Sequence, residues 1–264
     1  SDISLQNNKG LYLDGVEDSI DLGNKIDLSN KSFTLSTWMK TDSTSEIHLF
    51  GQGPTYDANH GLNFAVRPSN GMVRLPYFSN DLDSPTGMAT TTDQWHLYTA
   101  TVESTTGVRR IYIDGVKIAE DTGGTFSGSG DPFFVGQRPA FSEITGPASF
   151  DDVRVYERAL STEEILELFA GNRIDDNNLL IHLPLNETDG STVSDVSGNG
   201  FTGTLLGDPT LFDAADVPIP PPLPDAIVKV ILSVNNGTLN LGAASGLSFD
   251  VGANDSADIT VSGR

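Results

Sequence analysis

The chain has 264 residues, with 15 Lys and Arg against 36 Asp and Glu, and a formal charge of −21. That sign excludes nucleic acid as a partner, since phosphate binding needs a basic surface; the carboxylates in its turns suit a hard divalent cation such as calcium. No cysteine is present and no run of eighteen apolar residues occurs, which excludes a disulfide scaffold and a membrane-spanning helix.

Strand patterns are read at 11–13, 19–22, 32–40, 47–50, 61–67 and 72–78. In the third of these, Phe33, Leu35, Thr37 and Met39 alternate with Thr34, Ser36, Trp38 and Lys40, so one set faces a core. Trp38 falls on the more polar side, where it covers a second hydrophobic layer or lines a concave surface. Further strands are expected at 95–103, 108–113 and 116–119, the last two joined by a tight Asp114-Gly115 turn, and at 133–136 and 149–156. A short helix follows: Ser161 is its cap, Glu164 the capping glutamate, Ile165, Leu166, Leu168 and Phe169 its apolar stripe, and Gly171 and Asn172 its stop.

Another strand, LLIHLPL at 179–185, comes after the helix, and 186–212 read as strand, polar loop and strand. PIPPPLP at 218–224 is an extended, stiff linker. Beyond Asp225 alternating strand residues resume around an Asn236-Gly237 turn, in a stretch too short for a sandwich of its own. The first residues, Ser1-Asp2-Ile3, open into a strand pattern with no signal peptide in view. The order of elements predicts an all-β fold, a two-sheet antiparallel jelly-roll sandwich with one short helix.

The segments LYLDGVEDSIDLG, FTLSTWMK, WHLYTATVE, RRIYIDGVKIAE, FFVGQR and FDDVRVYERALSTEEI, within residues 10–170, resemble the laminin-G-like, concanavalin A-like jelly-roll family in its bacterial form. In that family the segment similar to 179–212 comes first in the chain, whereas here it follows the helix. The resemblance therefore implies a circularly permuted domain over 1–217, with 179–212 completing the sandwich; the competing reading is a second, interrupted copy. The stretch 226–264, after a linker at 218–225, resembles the immunoglobulin-like repeats of giant bacterial surface adhesins. It is read as part of such a repeat or as extra strands. Together the two resemblances imply an extracellular, cell-surface adhesion module, monomeric within a longer chain.

In the loop DVSGNG, Asp195, Ser197 and Asn199 occupy alternate positions before Gly200, which is how a calcium loop opens. Leu206 stands where such a loop places its closing acid, so another segment must complete the site. The family resemblance implies Asp151 as that ligand. The plainer reading is an Asx turn. A second candidate is the rim made by the loops 51–61 and 77–87, which offer Tyr56, Asp57, Asn59, His60, Asn80, Asp81 and Asp83, joined by Gln137, Arg138 and Phe141. Planar polar groups and an aromatic face are what sugar hydroxyls and C–H groups need; the plainer reading is hairpin loops meeting water.

Of the histidines, His96 and His182 lie in strands and only His60 lies in a loop with functional potential; no zinc spacing occurs. Asp151 and Asp152 are adjacent, so regular strand geometry points them to opposite faces. No E-x-D-x-x-E pattern, G-x-S-x-G elbow or cysteine nucleophile is present, which argues against an enzyme. The expected function is calcium-supported, lectin-like binding of glycans or polysaccharides on host or algal cells. A protein- or peptide-binding adhesion module is the alternative, and a glycoside hydrolase of the same fold a minor one.

Overall fold

The computed structural model describes residues 9–53, 58–89, 93–128, 131–138, 145–172 and 174–213. The chain divides into two units, Ser1–Ile219 and Pro220–Arg264. The second unit lies outside the described residues, and with it the resemblance to an immunoglobulin-like repeat.

In chain order the strands are β1 (Lys9–Leu13), β2 (Ser19–Asp21), β3 (Phe33–Lys40), β4 (Ile47–Gln52), β5 (Leu62–Arg67), β6 (Met72–Pro76), β7 (Asp81–Asp83) and β8 (His96–Glu103). Then come β9 (Val108–Ile113), β10 (Val116–Asp121), β11 (Phe133–Val135), β12 (Ala148–Tyr156), the helix α1 (Thr162–Phe169), β13 (Leu179–Leu183), β14 (Thr192–Val193), β15 (Gly203–Leu206) and β16 (Thr210–Asp213). Sheet A runs β10-β9-β8-β3-β12-β1-β16, with β13 also paired to β12; sheet B runs β14-β15-β2-β11-β4-β5-β6-β7. Every described pairing is antiparallel, and the strands after the helix join both sheets.

Local chemistry sets these elements. Asp114 and Gly115 both have positive φ, +51° and +78°, as a two-residue hairpin between right-twisted strands requires. Ser161 Oγ accepts from Glu164 N–H while Glu164 Oε2 accepts from Ser161 N–H, a complete capping box. At the other end Gly171, at φ +71°, turns the chain back so that Asn172 N–H reaches Glu167 C=O and Gly171 N–H reaches Leu168 C=O.

The main core lies between the sheets and is built from strand-alternate residues such as Leu35, Phe50, Phe64, Ile111, Phe133 and Val153. A second apolar cluster lies on the outside of sheet A. There Trp38, Leu97, Tyr112 and Tyr156 meet Ile165 and Leu168 of α1, and Trp38 stacks on Phe169 at 5.7 Å. Of the two expectations for Trp38, the structure shows the second hydrophobic layer. Leu166, read as part of the apolar stripe, is outside this cluster: it lies over Gly115 of the β9–β10 turn and is 37% exposed.

Candidate functional site

The β7 edge of sheet B holds much of the predicted rim. Arg74 on β6 lies between two predicted ligand-binding residues: its Nε donates to Asp83 Oδ1 at 2.9 Å and its Nη2 to Asp81 Oδ2 at 2.9 Å. Asn80 is turned inward. Its Nδ2 donates to Asn59 Oδ1 and to Gly123 C=O, and its own C=O and Oδ1 accept from Arg109. Asn59, with φ +69°, sends its N–H to Tyr77 C=O and accepts from Ser127 N–H. His60 Nδ1 sits 2.9 Å from Ala58 C=O. Tyr56, Asp57 and Phe141 lie outside the described residues.

The structure thus brings Asn59 and Asn80 together, but around Arg109, a residue not anticipated from sequence. Arg109 is fully buried, forks onto Asp121, and lies over the Tyr77 ring at 4.8 Å. A Cβ on Gly123 would fall 1.9 Å from its guanidinium, so the glycine is required there. Burial pushes the Tyr77 hydroxyl far above its ordinary range. Asp81 and Asp83 lie on a separate part of this edge. Gln137 lies two residues past the end of β11, where it accepts from Ser19 Oγ at 2.9 Å, with Arg138 half-buried after it.

The loop containing Asp195, Ser197 and Asn199 closes the exposed edge of β13. Asp195 Oδ1 accepts from His182 N–H and Ser197 N–H, and Oδ2 accepts from Ser197 O–H and Phe201 N–H. Burial raises the Asp195 pKa, but these donors outweigh it and hold the carboxylate below its usual range. Asn199 Nδ2 donates to the carbonyls of Leu179 and Leu180. These side chains satisfy backbone groups that a strand edge would otherwise leave unpaired. Asp151 makes no described contact with the loop, and among the described residues no cluster of three or more His, Asp or Glu could hold an ion. As placed, the residues therefore do not fit a calcium ion, which needs six to eight converging oxygens.

Asp151 has a different setting. It faces Trp38 on β3, and from there to the Arg154↔Ser36 pair β12 uses one residue more than β3. This bulge, with Asp152 at φ +48°, replaces the strict alternation expected from the sequence. It sits where β12 exchanges β1 for β13 along the same side. Asp151 is 3% exposed and accepts from Asp152 N–H; burial, reinforced by the Asp152 charge, pushes its carboxyl up to about 8. Asp152 is the carboxylate that reaches toward the Asp195 loop, through His182 Nε2 at 2.7 Å, and it also accepts from Arg154 Nε at 3.0 Å. Burial raises its pKa, but those two partners prevail and hold it below the usual range.

The opposite edge of sheet B carries a feature that sequence reading passed over. Asp21, Leu22, Gly23 and Lys25, at the end of β2, and Phe201, Thr202 and Thr204, leading into β15, line an open cleft of about 220 Å³. Thr204 is the cross-strand partner of Asp21. The alternation of Thr202 and Thr204 around Gly203 is legible as a shared face. Their meeting with Asp21, far away in the chain, requires the fold.

The concanavalin A-like lectin/glucanases superfamily matches residues 14–166. No curated protein matches the chain. Among solved structures, a Bacteroides ovatus protein provisionally described as carbohydrate binding superposes with a TM-score of 0.59 at 17% identity, covering 81% of this chain and 62% of that one. The chain thus spans less than two thirds of that protein, and the likeness is one of fold. A heptameric SAP-like pentraxin from Limulus polyphemus gives 0.47 at 15% identity, over 73% of this chain and 97% of that one. Domain 4 of AbnA, an extracellular arabinanase of Geobacillus stearothermophilus, in complex with arabinotriose, gives 0.43 at 25% identity, over 57% and 71%.

Proposed function

The chain belongs to the concanavalin A-like lectin/glucanases superfamily, and from that premise we propose that it is a carbohydrate-binding module that does no chemistry on its ligand. The observation that carries this reading is the contrast between its carboxyl groups and its open surface. The described carboxyl pushed up to about 8, Asp151, is buried between β3 and its own bulge. Glycoside hydrolysis needs two carboxyl groups on either side of a substrate, roughly 5–10 Å apart. Asp151 and Asp152 are sequence neighbours, and Asp152 is tied to Arg154 and His182. The cleft between β2 and β15, in contrast, offers the exposed Thr202, Thr204 and Lys25 and the half-buried Asp21 beside the half-buried ring of Phe201, the mixture that sugar recognition uses.

The setting we propose is adhesion from the outside of a cell, as one module of a longer chain that attaches to glycans on host or algal surfaces. The proline-rich run 218–224 and the resemblance of 226–264 to adhesin repeats support it. The binding we propose does not depend on calcium, because the hydrogen bonds of the Asp195 loop already occupy its carboxylate oxygens. The deciding experiment is a glycan array probed with the 264-residue chain in calcium and again in chelator. Glycan binding in both conditions is expected. Silence on the array together with capture of a peptide ligand, or release of free sugar from polysaccharide, would overturn the function proposed.

A further inference from the structure

We propose that the cleft between the end of β2 and the start of β15 holds one sugar residue of a neutral glycan. This rests on the carbohydrate-binding function proposed above and gives it a location and a ligand class.

The groups that line the cleft are free to act. Asp21 Oδ1 accepts from Gly23 N–H at 2.7 Å, while Oδ2 has no hydrogen-bond partner among the described residues. The Lys25 ammonium and the hydroxyls of Thr202 and Thr204 likewise make no bond within the described chain, and all three residues are exposed. A carboxylate only accepts, an ammonium only donates, and a threonine hydroxyl does both. That set is complementary to vicinal sugar hydroxyls, each of which also does both. Phe201, half-buried at the rim, supplies an apolar wall for the C–H face of a ring.

The same groups are held in place before any ligand arrives. The Gly23 N–H fixes the Asp21 carboxylate. The β2–β15 ladder sets Thr204 opposite it. Phe201 is anchored by its N–H to Asp195 Oδ2 at 3.1 Å, and part of its ring packs on the main core. Such preorganisation lowers the entropy lost on binding.

Size and charge narrow the ligand. At about 220 Å³ and open to solvent, the cleft is smaller than the roughly 300–1,000 Å³ of sites that engulf a whole small molecule. One ring fits, with the rest of a chain outside. Phe134, the cross-strand neighbour of Asp21 on β11, lies half-buried on the side away from Thr204 and would meet the next residue of that chain. Asp21 and Lys25 cancel one another locally, and the −21 charge of the whole chain repels acidic glycans. A neutral sugar is the class left.

The test is titration calorimetry of the 264-residue chain with neutral gluco-, manno-, galacto-, xylo- and arabino-oligosaccharides, and in parallel with sulfated and sialylated glycans. Asp21→Asn, which keeps the acceptor for Gly23, and Thr204→Val, which removes only a hydroxyl, are each expected to weaken neutral-glycan binding about tenfold at unchanged melting temperature. Asp81→Asn, at the far edge of the sheet, is expected to bind as the wild type does. Should either cleft variant lose stability, the exposed Lys25→Met decides, with a weakening of about threefold or more expected. No glycan bound by the wild type would sink the carbohydrate-binding function itself. Wild-type affinity in all the cleft variants would leave that function standing and remove this cleft from it. Binding of acidic glycans alone would overturn the neutral class.

Discussion

The two lateral edges of sheet B are made of similar residue types and have opposite characters. At the β7 edge the polar groups bind one another: Arg74 is shared by Asp81 and Asp83, and Arg109 gathers Asp121, Asn80 and, through Asn80, Asn59. Near the β14 edge, on β15 and at the end of β2, Asp21, Lys25, Thr202 and Thr204 line the open cleft without such partners. The difference teaches that a polar loop is a binding site only where its hydrogen-bonding capacity is left over. Asn, Asp and Arg close together in space more often satisfy each other, since a buried group without a partner costs about 1–3 kcal/mol.

The strongest way to break this comparison is to open the closed edge. Arg109→Ala removes a fully buried cation, strands Asp121, Asn80 and the Asn59 loop, and leaves a cavity beside Tyr77. The expected loss is about 4–5 kcal/mol in urea unfolding, the upper range for a broken buried pair with a cavity added. A loss below about 1 kcal/mol would show that the network does not lock the rim.

A pH series sharpens the comparison at Asp151, where a carboxyl is closed in with a like charge beside it and an N–H as its described donor. Its folded pKa, about 8, lies above the unfolded value. The protonated carboxyl therefore contributes its stability in full below about pH 4, and that contribution is lost as pH rises through 8. Asp152, held low by His182 and Arg154, has the opposite sign, and its contribution is lost only as the solution turns acid. Wild-type stability is expected to fall by about 3–4 kcal/mol between pH 5 and 8 as the Asp151 carboxyl is forced to ionise. Asp151→Asn, which cannot ionise, should flatten that slope. An unchanged slope in the variant would place the carboxyl in contact with water.

Strand and helix positions were legible because they follow from short-range signals. The alternation in 32–40 gave β3 within one residue, Asp114-Gly115 gave the β9–β10 turn, and Ser161 with Glu164 gave the helix start. The strand β7 was hidden because Asp81-Leu82-Asp83 carries a single apolar residue and reads as loop. The bulge at Asp151–Asp152 was hidden because nothing local marks it; it arises where β12 changes neighbours. The sites were less legible than the fold for the same reason. Which polar side chains are already occupied depends on partners brought from far along the chain: Arg109 for Asn80, Leu179 and Leu180 for Asn199, Thr204 for Asp21.

The smallest expected effect joins the two themes, because Asp195 is an occupied group that shapes the open edge. Its carboxylate accepts from four donors, and one of them is the N–H of Phe201, which lines the cleft. Asp195→Ala should cost about 1–2 kcal/mol, comparable to the loss of a capping side chain. The loss should be equal in calcium and in chelator, because the bonds removed are to backbone and hydroxyl groups. A bound ion would give a different pattern: it stabilises only the folded state that holds it, so the loss would appear in calcium and nearly vanish in chelator. Melting curves in both conditions separate the two. Neutral-glycan affinity in the same variant should fall by less than in Asp21→Asn, since Phe201 would keep its packing on the core while losing its backbone anchor. A larger fall than in Asp21→Asn would make the loop, rather than the β2–β15 ladder, the part that holds the cleft in shape.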